Sequence, residues 1–129
     1  MSQNFRKIDG KALYDIIEYS CMKDKVHFEI GRITKNWINW KTIEINENLH
    51  LKRNRIFVHH RIQSNSLKLY TKIPLDYNRN LQKLGITLED SHTTNGWSIF
   101  ESYYHCKSKK DVQKALYVVD LALKMHSSN

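Results

Sequence analysis

The chain has 129 residues, of which 26% are charged and 40% are Ala, Val, Ile, Leu, Met, Phe, Trp, Tyr or Cys. This composition excludes a disordered chain and predicts one folded domain over residues 1–129. Lys and Arg number 21 against 13 Asp and Glu, which gives a formal net charge of +8. Such a charge favours acidic partners, namely nucleic acid, an anionic membrane surface or an acidic protein.

The sequence also bears on where the protein resides. No stretch approaches the roughly 18 consecutive apolar residues that cross a bilayer, and Met1–Lys7 lacks the apolar core of a signal peptide. We therefore expect a cytoplasmic protein without a membrane partner. Cys21 and Cys106 are the only cysteines, and we expect both to be reduced and buried, because no secretion signal points to an oxidising compartment.

The first part of the chain predicts one helix followed by short strands. Apolar residues recur at helical spacing over Lys11–Met22, and Asp9 is placed to cap that helix. Alternation of apolar and polar residues predicts a strand over Val26–Ile30 and another over Lys41–Ile45. A further short strand begins at Leu49, after a polar turn.

The clearest pattern in the middle of the chain predicts a β-hairpin. Arg55–Ile62 and Leu67–Ile73 both alternate, the four residues between them are polar, and Pro74 stops the second strand. If this four-residue link closes the hairpin, Ile62 pairs with Leu67. The predicted outward pairs are then Arg61 with Lys68, His59 with Tyr70, and Phe57 with Lys72.

The C-terminal part predicts a strand that leads directly into a helix. A short helical segment at Asn78–Leu84 is closed by Gly85, and a strand rich in aromatic residues runs from Trp97 to Cys106. Ser108 is placed to accept an orphan backbone N–H at the start of the last helix, whose dipole favours Asp111. The apolar stripe of that helix consists of Val112, Ala115, Leu116, Val119, Ala122 and Leu123. The expected fold is α+β, with an N-terminal helix, a largely antiparallel sheet of about five strands, and a C-terminal helix packed on the sheet.

One stretch is a candidate binding surface. No acidic residue occurs between Asn48 and Leu75, and the hairpin strands interleave cations with aromatic rings. Cations hold phosphates and rings stack bases, so this pattern suits single-stranded or flipped nucleotides. The predicted nucleic-acid-binding residues are Lys52, Arg53, Arg55, Phe57, His59, Arg61, Lys68, Tyr70 and Lys72. Two alternatives stay open: a solvated hairpin face, and a basic surface that docks on an acidic protein.

No pattern in the sequence predicts a reaction, a metal or a cofactor. His59 and His60 would point to opposite faces of one strand, His105 and Cys106 likewise, and no Cys-x-x-Cys occurs. The acidic pattern of restriction-type nucleases and a phosphate-cradling glycine loop are both lacking. Trp37 and Trp40, three residues apart, fit either a ligand-stacking ledge or the edge of a core.

The C-terminal half resembles a small uncharacterised domain that is labelled a predicted transport protein and is found at the C-terminus of restriction and other DNA-associated proteins. The resemblance runs from Ile56 to Met125. It rests on the strand Leu67-Lys-Leu-Tyr70, the Pro74/Asp76 loop, the Gly96-Trp97 turn, and Ser108-x-x-Asp111-Val112 opening a helix that ends in Ala122. The resemblance implies an α+β domain with an antiparallel sheet and an accessory role near DNA-acting machinery, and it brings no catalytic residues.

These observations lead to one functional expectation and one alternative, and they leave open a third class, a small nuclease or hydrolase, for which the sequence supplies no recognisable set of acid and base groups. We expect a non-enzymatic accessory module that binds DNA or RNA through the basic, aromatic-interleaved hairpin face. The alternative is an interaction or inhibitor protein of a defence or counter-defence system, which docks the same face on an acidic protein partner.

Overall fold

The computed structural model describes residues 9–24, 28–33, 36–42, 44–46, 51–53, 56–91 and 100–127. The first helix, α1, spans Gly10–Asp24. Eight strands follow within the described ranges: β1 Phe28–Ile33, β2 Trp37–Thr42, β3 Glu44–Asn46, β4 Leu51–Arg53, β5 Ile56–Ile62, β6 Leu67–Thr71, β7 Glu89–Asp90 and β8 Ser102–Cys106. Between β6 and β7 lie a 3-10 turn at Leu75–Tyr77, the short helix α2 at Asn78–Leu81 and a second 3-10 turn at Gln82–Leu84. A 3-10 turn at Lys109–Asp111 leads into the last helix, α3, at Val112–Ser127.

The strands form one main sheet and a small separate ribbon. The main sheet has six strands in the order β1-β2-β5-β6-β8-β7, and all its pairings are antiparallel. Strands β3 and β4 pair with each other in the two-stranded ribbon. The α+β fold with a helix at each end of the chain is therefore confirmed, and the sheet is one two-residue strand wider than the expected five.

The β5–β6 hairpin has the predicted register. Ile62 pairs with Leu67, and Arg61 pairs with Lys68. The four-residue link is closed by a hydrogen bond from the Gln63 backbone N–H to the Ser66 carbonyl oxygen, 2.9 Å long. A link of that length between two alternating segments leaves few other registers that keep the apolar residues on one face.

Both long helices pack on the same face of the main sheet and bury the larger core. α1 contacts β5, β6 and α3, while α3 also contacts β2 and β8. Trp40 lies fully buried at the centre of this core, and its indole N–H donates to the Tyr14 hydroxyl at 2.9 Å. The predicted cap of α1 is confirmed, because the Ala12 N–H donates to Asp9 Oδ1 at 2.7 Å.

The start of α1 lies against the link of the β5–β6 hairpin. The Gly10 N–H donates to the Gln63 carbonyl oxygen at 3.1 Å. A Cβ atom at Gly10 would clash with the backbone oxygens of Ser66 and Gln63, so glycine is what permits this close approach. This contact holds the start of α1 against the hairpin end of β5 and β6, close to Arg61 and Lys68.

Several local predictions need correction. The strand expected over Lys41–Ile45 begins earlier, at Trp37, and β2 ends at Thr42 before β3 begins at Glu44. The Ser108 side chain makes no capping hydrogen bond. Its carbonyl oxygen accepts from the Asp111 N–H at 3.0 Å, and Asp111 Oδ2 accepts from the Lys107 N–H at 2.9 Å.

Other predictions are confirmed or lie outside the described residues. Gly85 closes the α2 segment with a left-handed φ of 73°. Cys21 and Cys106 are both buried thiols, as expected. Trp97 lies outside the described residues, and β8 begins at Ser102. In the described ranges, the helices are too short or too polar to cross a bilayer.

Candidate nucleic-acid interface

Four side chains line up across the face of the sheet opposite the helices. Trp37 on β2 pairs with Arg61 on β5, Arg61 pairs with Lys68 on β6, and Lys68 pairs with His105 on β8. We call these four residues the cationic row. Because neighbouring strands lie about 4.8 Å apart, the row extends about 14 Å across the sheet. All four side chains are half-buried.

The cations of the row lie over aromatic rings. The Arg61 guanidinium carbon is 5.2 Å from the ring centroid of Trp37, and Lys68 Nζ is 4.8 Å from that of Tyr103. A cation over a ring face is stabilised by about 0.5–1 kcal/mol at an exposed site, and more where water is excluded. These contacts restrict where the two charged groups sit, so the row presents its positive charge in a defined place.

The rings form a continuous layer beneath and beside the row. This ring layer consists of Trp37, His59, Tyr70, Phe100 and Tyr103. The ring centroids of Trp37 and His59 are 4.3 Å apart, those of His59 and Phe100 are 5.7 Å apart, and those of Tyr70 and Tyr103 are 5.1 Å apart. Such offset and tilted pairs stabilise the layer by roughly 0.5–1.5 kcal/mol each beyond burial.

Arg61 and Lys68 are like charges placed directly opposite each other. Side chains paired across an antiparallel ladder have Cβ atoms about 5 Å apart, and like charges in that position destabilise the sheet. Among the described residues, neither cation forms a salt bridge, whereas Lys11 and Lys124 each pair with a carboxylate on their own helix. The carboxylate of Glu89 lies on β7, where Glu89 pairs with Tyr103, and it acts on His105 at the β8 end of the row. An anion from outside would relieve the repulsion.

His105 completes the row at its β8 end. Its Nε2 lies 2.9 Å from Ser66 Oγ in the hairpin link. Burial lowers the pKa of His105 from its ordinary value, and the positive charges of Lys107 and Lys68 lower it further, against the opposing carboxylates of Glu89 and Asp111. Burial is the first cause of the lowered pKa of His105, and the two lysines place positive charge beside the ring at this end of the sheet.

The prediction that Phe57 faces outward with His59 is wrong. In the β2–β5 ladder Trp40 pairs with Val58 and Lys41 with Ile56, so Phe57 is an extra residue in β5. Such a bulge interrupts the alternation of side chains. Phe57 is consequently fully buried in the helix-side core, and its ring centroid is 6.5 Å from that of Trp40.

The rings of His59 and Tyr70 lie on the predicted face but are not exposed. They pair with each other as predicted, yet only 8% of His59 and none of Tyr70 is exposed. Burial lowers the pKa of His59 to about 4, so it carries no charge at neutral pH. Because both side chains are buried, His59 and Tyr70 are not open to stack bases.

The remaining predicted residues are spread more widely. Lys72 is exposed but lies past the end of β6, so its predicted pair with Phe57 is not part of the ladder. Lys52 and Arg53 lie on β4 of the separate ribbon, where the backbone alone is described. Arg55 lies outside the described residues. From the predicted set, the structure therefore brings together Arg61 and Lys68, with the buried rings of His59 and Tyr70 on the same face.

Sequence reasoning missed two members of this surface. His105 becomes a neighbour of Lys68 only through the β6–β8 pairing, which joins segments more than thirty residues apart in the chain, and Lys107 follows on the same segment, where its charge also acts on His105. The local signal was the alternation of Tyr103, His105 and Lys107. Trp37, left open as ledge or core, belongs to the row, whereas Trp40 is core.

The described ranges contain other groupings of polar or reactive side chains outside the row. No cluster of three His, Cys, Asp or Glu side chains that could hold a metal ion occurs among the described residues. Burial raises the pKa of the Cys106 thiol to about 12, and Cys106 lies in the helix-side core while His105 lies in the row on the opposite face. A groove of about 360 Å³ between α1 and α3 is lined by Asp120 and neutral residues such as Cys21 and Tyr117, so it does not suit an anion.

Comparison of the chain with protein-family models, with curated proteins and with solved structures found no match. The resemblance of residues 56–125 to the domain of restriction-associated proteins therefore stays a prediction.

Proposed function

We propose that the protein is a non-enzymatic module that binds single-stranded nucleic acid through the cationic row. Arg61 and Lys68 hold consecutive phosphates, and Lys107 and Lys72 extend the positive surface along the sheet. The observation that carries this proposal is the like-charged Arg61–Lys68 pair, which no carboxylate of the described residues neutralises.

The burial of the ring layer changes the expected mode of recognition. Because Phe57, His59 and Tyr70 are covered, bases cannot be stacked on them as the sequence suggested. The rings instead support the cations from below. Contacts to phosphate carry no sequence information, so we expect binding with little preference for base sequence. The half-buried Arg61 guanidinium, which lies over Trp37, is a position in the row where a base could stack.

A sheet face suits a single strand better than a duplex. Major-groove recognition requires a helix or a two-stranded ribbon that enters the groove, and the row lies on the main sheet with its side chains half-buried. A flexible single strand can follow a flat face and place its phosphates on the row. We therefore expect tighter binding to a single strand than to a duplex of the same length.

Charge-reversal variants test the proposal. Arg61→Glu with Lys68→Glu lowers the net charge from +8 to +4, since each reversal removes two charges. The matched control is Lys83→Glu with Lys124→Glu, which has the same net charge but leaves the row intact. We expect the row variant to lose binding to a labelled single-stranded oligonucleotide at about 50 mM salt, while the control keeps most of it.

The result that overturns the proposal is equal binding by the two variants, because net charge alone would then explain the affinity. If the wild-type protein does not bind the oligonucleotide at all, and instead forms one stoichiometric complex with an acidic protein, the alternative interpretation of the face replaces this one.

A further inference from the structure

The hydrogen bonds around His105 define which of its nitrogens is basic. Ser66 Oγ donates its one proton to Gln63 Oε1 at 2.7 Å. The same hydroxyl lies 2.9 Å from His105 Nε2, so it accepts from an Nε2–H group. The neutral imidazole is therefore protonated on Nε2, and Nδ1 is left to take up a further proton. Protonation of Nδ1 keeps the bond to Ser66 intact.

Charged and titratable groups from several elements face His105. They are Lys68 from β6, Lys107 and Tyr103 from its own segment, Glu89 from β7, and Asp111 from the 3-10 turn before α3. The two lysines oppose an imidazolium, and the two carboxylates favour it. An anion bound on the row would add negative charge beside His105 and offset both lysines, so it would shift this balance towards the imidazolium.

We infer that His105 is a further phosphate-contacting residue of the cationic row, and that it takes up a proton on Nδ1 when the row binds a nucleic-acid strand. This inference rests on the proposed function. Its consequence is a binding affinity that rises as the pH falls, because the bound state holds the proton more tightly than the free state. The phosphodiesters themselves keep their charge throughout the neutral and mildly acidic range, so the dependence belongs to the protein.

The size and direction of the effect follow from linkage. The bound state gains affinity in proportion to the rise in the His105 pKa on binding, and a rise of one unit corresponds to about tenfold. The gain is complete below the pKa of the free protein and absent above the pKa of the complex. We expect wild-type affinity to rise continuously as the pH falls from 8 to 5.5, and a rise of one unit in the His105 pKa limits the total gain to about tenfold. His59 does not contribute in this range, because burial holds its pKa at about 4.

The experiment measures binding of a labelled oligothymidylate of about 12 nucleotides, at constant ionic strength, from pH 5.5 to pH 8. Two variants accompany the wild type. His105→Gln keeps a side-chain N–H for Ser66 but cannot take up a proton. His105→Arg is charged at every pH used. We expect the glutamine variant to bind weakly with little dependence on pH, and the arginine variant to bind tightly with little dependence on pH.

An independent readout follows the imidazole itself. Titration of the His105 ring signals by NMR, with and without the oligothymidylate, should give a higher pKa in the complex. The inference is overturned if the His105 pKa is the same in both states, or if His105→Gln keeps the wild-type pH dependence. In either case salt-sensitive binding that depends on Arg61 and Lys68 would leave the proposed function standing. Absence of wild-type binding at every pH would overturn both.

Discussion

The Arg61–Lys68 pair should cost the free protein stability, and a double-mutant cycle measures that cost. The cycle consists of the wild type, Arg61→Gln, Lys68→Gln and the double variant. Each single substitution also removes a cation–π contact, but these losses cancel in the coupling free energy. What remains is the interaction between the two charges.

The expected magnitude follows from the geometry of the ladder. The two residues pair directly, so their Cβ atoms lie about 5 Å apart. Their charged groups lie over the rings of Trp37 on β2 and Tyr103 on β8, so we take a larger separation of roughly 10 Å, two strand spacings, for the charges. Two unit charges at about 10 Å repel by about 0.4 kcal/mol with water-like screening, and by about 1.7 kcal/mol at an effective dielectric constant of 20. Since both side chains are half-buried, we expect a repulsive coupling of about 1 kcal/mol.

Urea denaturation at low salt is the suitable assay, because guanidinium chloride would screen the interaction being measured. The free energies of unfolding of the four proteins give the coupling. We expect it to be repulsive at about 20 mM salt and to shrink at about 500 mM. A coupling that is zero or attractive at low salt would refute the argument that the pair is uncompensated.

Three further predictions concern the fold that holds the row. Gly10→Ala should lower the free energy of unfolding by about 2 kcal/mol or more, because the added Cβ would push the start of α1 away from the hairpin link and break the hydrogen bond to Gln63. Urea denaturation measures this loss, and a loss below about 0.5 kcal/mol would contradict the close approach. Phe57→Ala should cost about 3–5 kcal/mol because the ring is fully buried, whereas an outward ring would cost little in the same assay. His60 is fully buried with its pKa lowered to about 3, first by burial and then by the charge on His59. In the unfolded chain the His60 imidazole is protonated near pH 6.5, whereas in the folded protein it stays neutral down to about pH 3. The free energy of unfolding should therefore decrease as the pH falls from about 6.5 towards 3. In urea titrations at several pH values, His60→Phe should make the free energy of unfolding less dependent on pH. An unchanged pH dependence would mean that other titratable groups cause it.

Local patterns were sufficient for part of the fold. The hairpin register followed from two alternating segments and a four-residue link, and the cap of α1 followed from the position of Asp9. In β2, aromatic residues occur on both faces, with Trp40 in the helix-side core and Trp37 in the row. That distribution hides the alternation by which a strand is usually predicted, which is why the strand was placed too late in the chain.

The candidate site depended on contacts between distant segments. The bulge that turns Phe57 into the core exists only in the pairing of β5 with β2, so no reading of β5 alone could reveal it. His105 joins the row only because β8 lies beside β6. Sequence reasoning found the two central cations and placed them opposite each other. It could not determine that the rings beside them are covered.

The most direct test of the central claim is the salt dependence of oligonucleotide binding. If Arg61, Lys68 and Lys107 each neutralise one phosphate, the logarithm of the binding constant should fall with the logarithm of the salt concentration with a slope of about −2, which is about 20-fold between 50 and 200 mM. Arg61→Gln should then reduce the slope by about 0.7, while Lys83→Gln should leave it unchanged. The same slope for wild type and Arg61→Gln would contradict the claim that the row holds phosphates.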